Sequence, residues 1–146
     1  MVMEQQHKLL IVDDDEDTRQ IYRDFFTNQG FIVDTATDGV DGLEKLLPNE
    51  FDVAIVDIKM PKMDGIEMIH QALIDDRVDA SMIILTGHGD RKEVVKAINY
   101  GADAWFDKLN IDMSELLKRT QELAQVVPPD AGRRLSAILR QAEQRA

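Results

Sequence analysis

The chain has no cysteine among its 146 residues. That single absence excludes disulfides, thiolate zinc sites and cysteine nucleophiles. Its three histidines, His7, His70 and His88, stand apart with no third ligand in a zinc spacing. Long hydrophobic runs are also missing: none approaches the roughly 20 residues that cross a bilayer. Met1 to Lys8 is polar and too short for a secretory signal, so a cytoplasmic location is the expectation. Positive charge is scarce, with 17 Lys and Arg against 28 Asp and Glu, a formal net charge of −11. Phosphate contacts need Lys and Arg, so residues 1–127 are not expected to bind nucleic acid directly. The surplus carboxylates serve either solubility alone or a specific site. Aromatic residues make up only 5%, including a single tryptophan, Trp105. No internal repeat is visible beyond an alternation of elements.

What is present is a globular balance: 44% hydrophobic and 31% charged residues fit one soluble domain with a short appendage. The stretch Phe51 to Gly65, FDVAIVDIKMPKMDG, organises the rest. Val53 to Val56 is a short apolar run, as in a strand buried on both faces, and it stops at Asp57. Lys8 to Val12, Phe31 to Thr35, Ser81 to Thr86 and Ala102 to Phe106 read as four further strands. Between them lie helices. Asp17 or a near neighbour caps one through Asn28, with Ile21, Tyr22, Phe25 and Phe26 on its apolar face. Asp38 opens a second, with Val40, Leu43, Leu46 and Leu47 as its apolar residues. Gly65 to Leu73 is a third, Asp90 to Asn99 a fourth closed by Gly101, and Ile111 to Val126 a fifth. Asp112 or Ser114 starts that last helix.

Five strand–helix alternations describe a parallel sheet covered on both faces. Right-handed crossovers then point every strand's carboxyl end the same way. Asp13, Asp14, Asp57, Thr86, Asp107 and Lys108 are thereby delivered to one rim, where such sheets place their ligand sites. Carboxylates crowded there repel one another unless a cation intervenes. Oxygen donors without His or Cys suit Mg²⁺. A carboxylate nucleophile, a metal, an amine and a hydroxyl are the parts that stabilise a phosphoryl group in transfer. Asp57, at the end of the central strand, is the candidate nucleophile. The spacing of Asp13, Asp15 and Asp17 imitates an EF-hand, but Thr18 stands where its glycine belongs and Asp24 at its twelfth position, which argues against calcium. Taken singly, the acidic run suits a helix N-terminus, Thr86 a strand end, Lys108 a solvated surface and Trp105 the core.

Four motifs in order, IVDDDEDTR, VAIVDIKMPKMDG, IILTGHG and GADAWFDK, resemble the receiver domain of two-component response regulators. The resemblance runs from about Lys8 to Gln125. It implies a flavodoxin-like, doubly wound α/β fold, a five-stranded parallel sheet in the order 2-1-3-4-5, over residues 1–127. Residues 128–146, which open with Pro128-Pro129, are expected to be a linker or helical extension. That stretch is basic, with Arg133, Arg134, Arg140 and Arg145 against Asp130 and Glu143. Carried over position by position, the resemblance makes Asp57 the phosphoacceptor. Asp13, Asp14, Asp57 and the backbone carbonyl of Lys59 become the Mg²⁺ ligands, with Asp14 the more direct of the acidic pair. Thr86 and Lys108 are the phosphoryl-binding residues, and Thr86 and Trp105 the switch. Lys59 and His88 fall where residues influence how long the phosphoryl group lasts. Implied partners are a sensor histidine kinase or phosphotransfer protein, and a second copy through the helix 4–strand 5–helix 5 face or the C-terminal helix. The chain is either a receiver acting alone through protein contacts or a piece ahead of an effector.

Two departures from the family pattern stand out. Leu109 replaces the proline that usually follows the lysine, so a trans bond and a rearranged loop are expected there. Trp105 is larger than the usual Tyr or Phe. Two other readings compete. One is a binding module that keeps the scaffold but never cycles phosphate. The other is an aspartyl-phosphate phosphohydrolase of the haloacid dehalogenase type, which needs an aspartate two residues after the nucleophile, where this chain has Lys59, and a cap domain, for which the chain offers no segment.

Overall fold

The computed structural model describes residues 6–87 and 90–125. Five strands, β1 (Lys8–Val12), β2 (Ile32–Ala36), β3 (Val53–Asp57), β4 (Ser81–Thr86) and β5 (Ala104–Asp107), form one sheet. Their order is β2-β1-β3-β4-β5, and all neighbours run parallel. Five helices alternate with them: α1 (Glu16–Asn28), α2 (Gly39–Leu46), α3 (Gly65–His70), α4 (Arg91–Tyr100) and α5 (Met113–Gln125). The expected architecture is therefore present. The C-terminal extension of residues 128–146 lies outside the described residues.

Alternate side chains of each inner strand feed two cores, as a sheet covered on both faces requires. Leu10, Val12, Ala54, Val56, Met82 and Ile84 pack with α2, α3 and α4. Leu9, Ile11, Val53, Ile55, Ile83 and Leu85 pack with α1 and α5. β3 is buried at all five positions, β4 at all six. Burial at about 25 cal/mol per Å² makes these two strands the fixed frame of the molecule.

Local chemistry sets the helix starts. The carboxylates of Asp15, Asp38 and Asp64 accept the N–H groups of Thr18, Asp41 and Glu67, at 3.0, 2.8 and 2.8 Å. Asp112 begins α5 by accepting from Ser114. Gly101 ends α4 at φ 113°, a conformation open to glycine.

Two expectations need correction. α3 does not stay α-helical to Leu73: a wider π-helical turn, Gln71–Asp75, follows His70, keeping Ala72 buried while Ile74 faces solvent. Ile21 is not on the packed face of α1 but 61% exposed, because that face is carried by Tyr22 and Phe26. In α2, Leu43 and Leu46 are buried, whereas Val40 and Leu47 are exposed. No helix among the described residues is long and apolar enough to cross a membrane.

Candidate functional site

β1 and β3 are paired in register, Val12 beside Val56, so the residues that follow them emerge side by side. Asp13 and Asp57 are both buried there, at 0% and 7% exposure, and Asp14 is exposed beside them. One carboxylate oxygen from each of Asp13, Asp14 and Asp57 falls within 4.8 Å of the others. Asp13 is held firmly. One of its oxygens accepts the Asp15 N–H at 2.9 Å, and Arg19 grips its carbonyl at 2.8 Å.

Lys108 reaches this cluster from beyond β5. Its Nζ donates to Asp13 Oδ2 at 2.8 Å and to Asp57 Oδ2 at 3.2 Å. Burial, reinforced by the Asp13 charge, pushes the Asp57 carboxyl up from 3.8 to about 6, against the pull of Lys108. For Lys108, burial pulls the ammonium down, but the Asp13 hydrogen bond and the two carboxylate charges outweigh it and raise it. One ammonium therefore leaves the rim short of positive charge. The donor set, three carboxylates with neither His nor Cys, fits a hard divalent cation such as Mg²⁺.

Gly65 explains part of the central motif. A Cβ there would lie 2.3 Å from the Asp57 carbonyl oxygen, so only glycine lets the loop after β3 fold back on the strand. Gly65 N–H then donates to the Ile58 carbonyl at 2.8 Å. Beside that loop a cleft of about 630 Å³ opens, lined by Asp14, Lys59, Met60, Pro61, Asp64 and Asp90. It is an entrance directly alongside the carboxylates.

Thr86 ends β4 buried, and its hydroxyl donates to the Phe106 carbonyl at 3.4 Å, a long bond on the β5 side. Trp105 corrects the expectation of a core residue: it stands on the edge strand β5 and is 54% exposed. Lys59 pairs with Asp90 at 3.5 Å. His88 lies outside the described residues. The peptide before Leu109 is trans, as expected, and Lys108–Asn110 forms a short 3₁₀ turn with Leu109 71% exposed. Leu109 N–H donates to Asp107 Oδ1, which closes that turn. Asp90 is the residue that reading the sequence assigned only to a helix cap.

Residues 9–121 match the model of the response regulator receiver domain. This chain belongs to that family. Among curated proteins it is 33% identical to the response regulator MprA of a Mycobacterium species (strain KMS) over 86% of this chain and 54% of that one. It is 31% identical to the response regulator ArlR of Staphylococcus aureus (strain Mu50) over 83% and 54%. The chain thus spans about half the length of the curated relatives it matches. A CheY-like receiver domain from Methanospirillum hungatei superposes with a TM-score of 0.76 at 29% identity, covering 82% of this chain and 94% of that one. The response regulator TrrA of Thermotoga maritima, solved in complex with Mg²⁺ and BeF, gives 0.72 at 27% identity over 81% and 99%. The receiver is a signalling domain, and the cluster of Asp13, Asp14 and Asp57 fits its acidic pocket.

Proposed function

We propose that this receiver accepts a phosphoryl group on Asp57 from the phosphohistidine of a sensor histidine kinase or phosphotransfer protein, in the cytoplasm, and thereby switches the α4–β5–α5 surface. The observation that carries the reading is the Lys108 ammonium bridging Asp13 and Asp57 at 2.8 and 3.2 Å. A cation drawn from a third chain segment onto two buried carboxylates is a costly arrangement, and charge stabilisation in a reaction explains it.

In the transfer, an Asp57 carboxylate oxygen attacks phosphorus in line. The bond from phosphorus to the histidine nitrogen breaks, and the imidazole leaves with its electron pair. The product is an acyl phosphate. Lys108 stays within reach of the new oxygens and balances their charge. Asp13, Asp14, Asp57 and the Lys59 backbone carbonyl would hold Mg²⁺, which neutralises developing phosphoryl charge when bound. The BeF bound with Mg²⁺ in TrrA, a stand-in for a phosphoryl group, supports the same use of this pocket.

The Thr86 hydroxyl then exchanges its long bond to Phe106 for a charged phosphoryl acceptor, the stronger partner. Movement of β4's end is passed to β5, whose Leu85–Phe106 and Thr86–Asp107 pairs lie beside it, and so to Trp105. Val95, Ile98, Trp105 and Leu109 are exposed apolar residues on or beside this surface, suited to a second copy or a downstream protein. Hydrolysis of the acyl phosphate resets the switch. Residues 1–127 form the receiver, and residues 128–146 an extension.

Incubation with a small-molecule phosphodonor and Mg²⁺ tests this reading. Wild type gains an acid-labile label that maps to Asp57, and Asp57→Asn gains none. Equal labelling of the variant overturns the assignment.

A further inference from the structure

Among the described residues an aspartate is the N-cap of each of α1 to α4, and in the first three it does the usual work. Asp15, Asp38 and Asp64 each accept an N–H of their own helix. Asp90 does not: its carboxylate makes no hydrogen bond to α4. Forgoing a cap is destabilising, so something else orients this side chain. Asp90 is buried at 7% exposure. Its Oδ2 accepts the Gly87 N–H at 2.9 Å, and its Oδ1 pairs with Lys59 Nζ at 3.5 Å. Gly87 follows Thr86, and Lys59 lies two residues beyond Asp57. One buried carboxylate thus ties together the two loops that flank the acidic pocket.

We propose that Asp90 is a positioning residue of the switch, holding the Lys59 ammonium on the resting side and the Thr86–Gly87 backbone where the Thr86 hydroxyl faces Phe106. This rests on the phosphoacceptor reading. A phosphoryl group on Asp57 offers Lys59 new anionic oxygens and draws Thr86 off Phe106. Asp90 competes with both changes. It acts through its partners, and the two oxygens make its two effects separable. Asp90→Asn keeps an oxygen for Gly87 but loses the charge that retains Lys59. Asp90→Ala loses both. Lys59→Met removes only the ammonium.

The test uses the full chain. In ligand-free protein, amide exchange of Gly87 reads the loop tie without any phosphoryl chemistry. Asp90→Ala is expected to speed it about tenfold and Asp90→Asn to leave it near wild type. Calorimetric titration with beryllofluoride in excess Mg²⁺ reads the bias. Asp90→Asn is expected to bind it about two- to fivefold more tightly than wild type, the scale of a half-exposed ion pair. The gain disappears in a Lys59→Met background. Unchanged Gly87 exchange in Asp90→Ala overturns the proposal, as does an equal affinity gain with and without Lys59. A wild type that binds no beryllofluoride overturns the phosphoacceptor reading instead, and the Gly87 exchange still decides the tie.

Discussion

The two rims of the sheet use aspartate in opposite ways. At the amino-terminal rim Asp52 and Asp103 each meet a backbone donor. Asp52 accepts the Lys8 backbone N–H and Asp103 the Met82 N–H, both at 2.9 Å. These bonds close the sheet's edge and satisfy the groups that make them. At the carboxyl-terminal rim Asp13, Asp14 and Asp57 meet one another, with Lys108 bridging the buried pair. The contrast separates carboxylates that stabilise the fold from carboxylates the fold holds in conflict. Charge conflict of this kind concentrates at functional sites, because a ligand that relieves it gains binding energy.

The sharpest way to break this comparison is Lys108→Met. Removing the shared ammonium leaves two buried carboxylates facing each other. Labelling of Asp57 by a small phosphodonor should slow by about 10²-fold or more, the scale of losing one group that stabilises transition-state charge. A rate within threefold of wild type would place Lys108 with the structural charges. Next in size is the response to the cation. Mg²⁺ at about a hundred times its dissociation constant should raise unfolding free energy by about 2.7 kcal/mol, and Asp14→Asn should blunt the gain. Thermal denaturation with and without a chelator measures both.

The third prediction concerns pH. The folded-state value for Asp57, about 6, lies above its ordinary 3.8. Between those values the native state binds more protons than the unfolded chain. This group's contribution is therefore full below about pH 4 and is lost as pH rises through 6. In metal-free buffer Asp57→Asn should be more stable than wild type at pH 7 by about 1–3 kcal/mol, and the advantage should vanish near pH 4. Denaturant melts at the two values check it. The smallest effect belongs to the other rim. Asp103→Ala should cost about 1–2 kcal/mol by leaving the Met82 N–H without its acceptor, while Asp57 labelling is unchanged.

The fold and the pocket were legible for a common reason. Apolar runs ending in acidic or hydroxyl residues state both a buried strand and what stands at its end, so β1, β3 and β4 with Asp13, Asp57 and Thr86 follow from local pattern. Trp105 was misplaced because burial preference is an average over residue types, and β5 is an edge strand with a neighbour on one side alone. Ile21 was misplaced because an apolar stripe wider than the contact leaves one residue outside. The π-helical turn after His70 leaves no periodic trace in a stretch of five residues. Asp90 shows the deeper limit. An aspartate before a helix reads as a cap, and only the direction of its side chain, toward Gly87 and Lys59, reveals a different use.

Titration of the Asp57 side-chain carboxyl by carbon NMR, with chelator and then with saturating Mg²⁺, tests the conflict at this rim most directly. The account predicts a midpoint near 6 without metal and a fall to well below the ordinary carboxylate range once Mg²⁺ is added. A midpoint near 3.8 that ignores Mg²⁺ would contradict it.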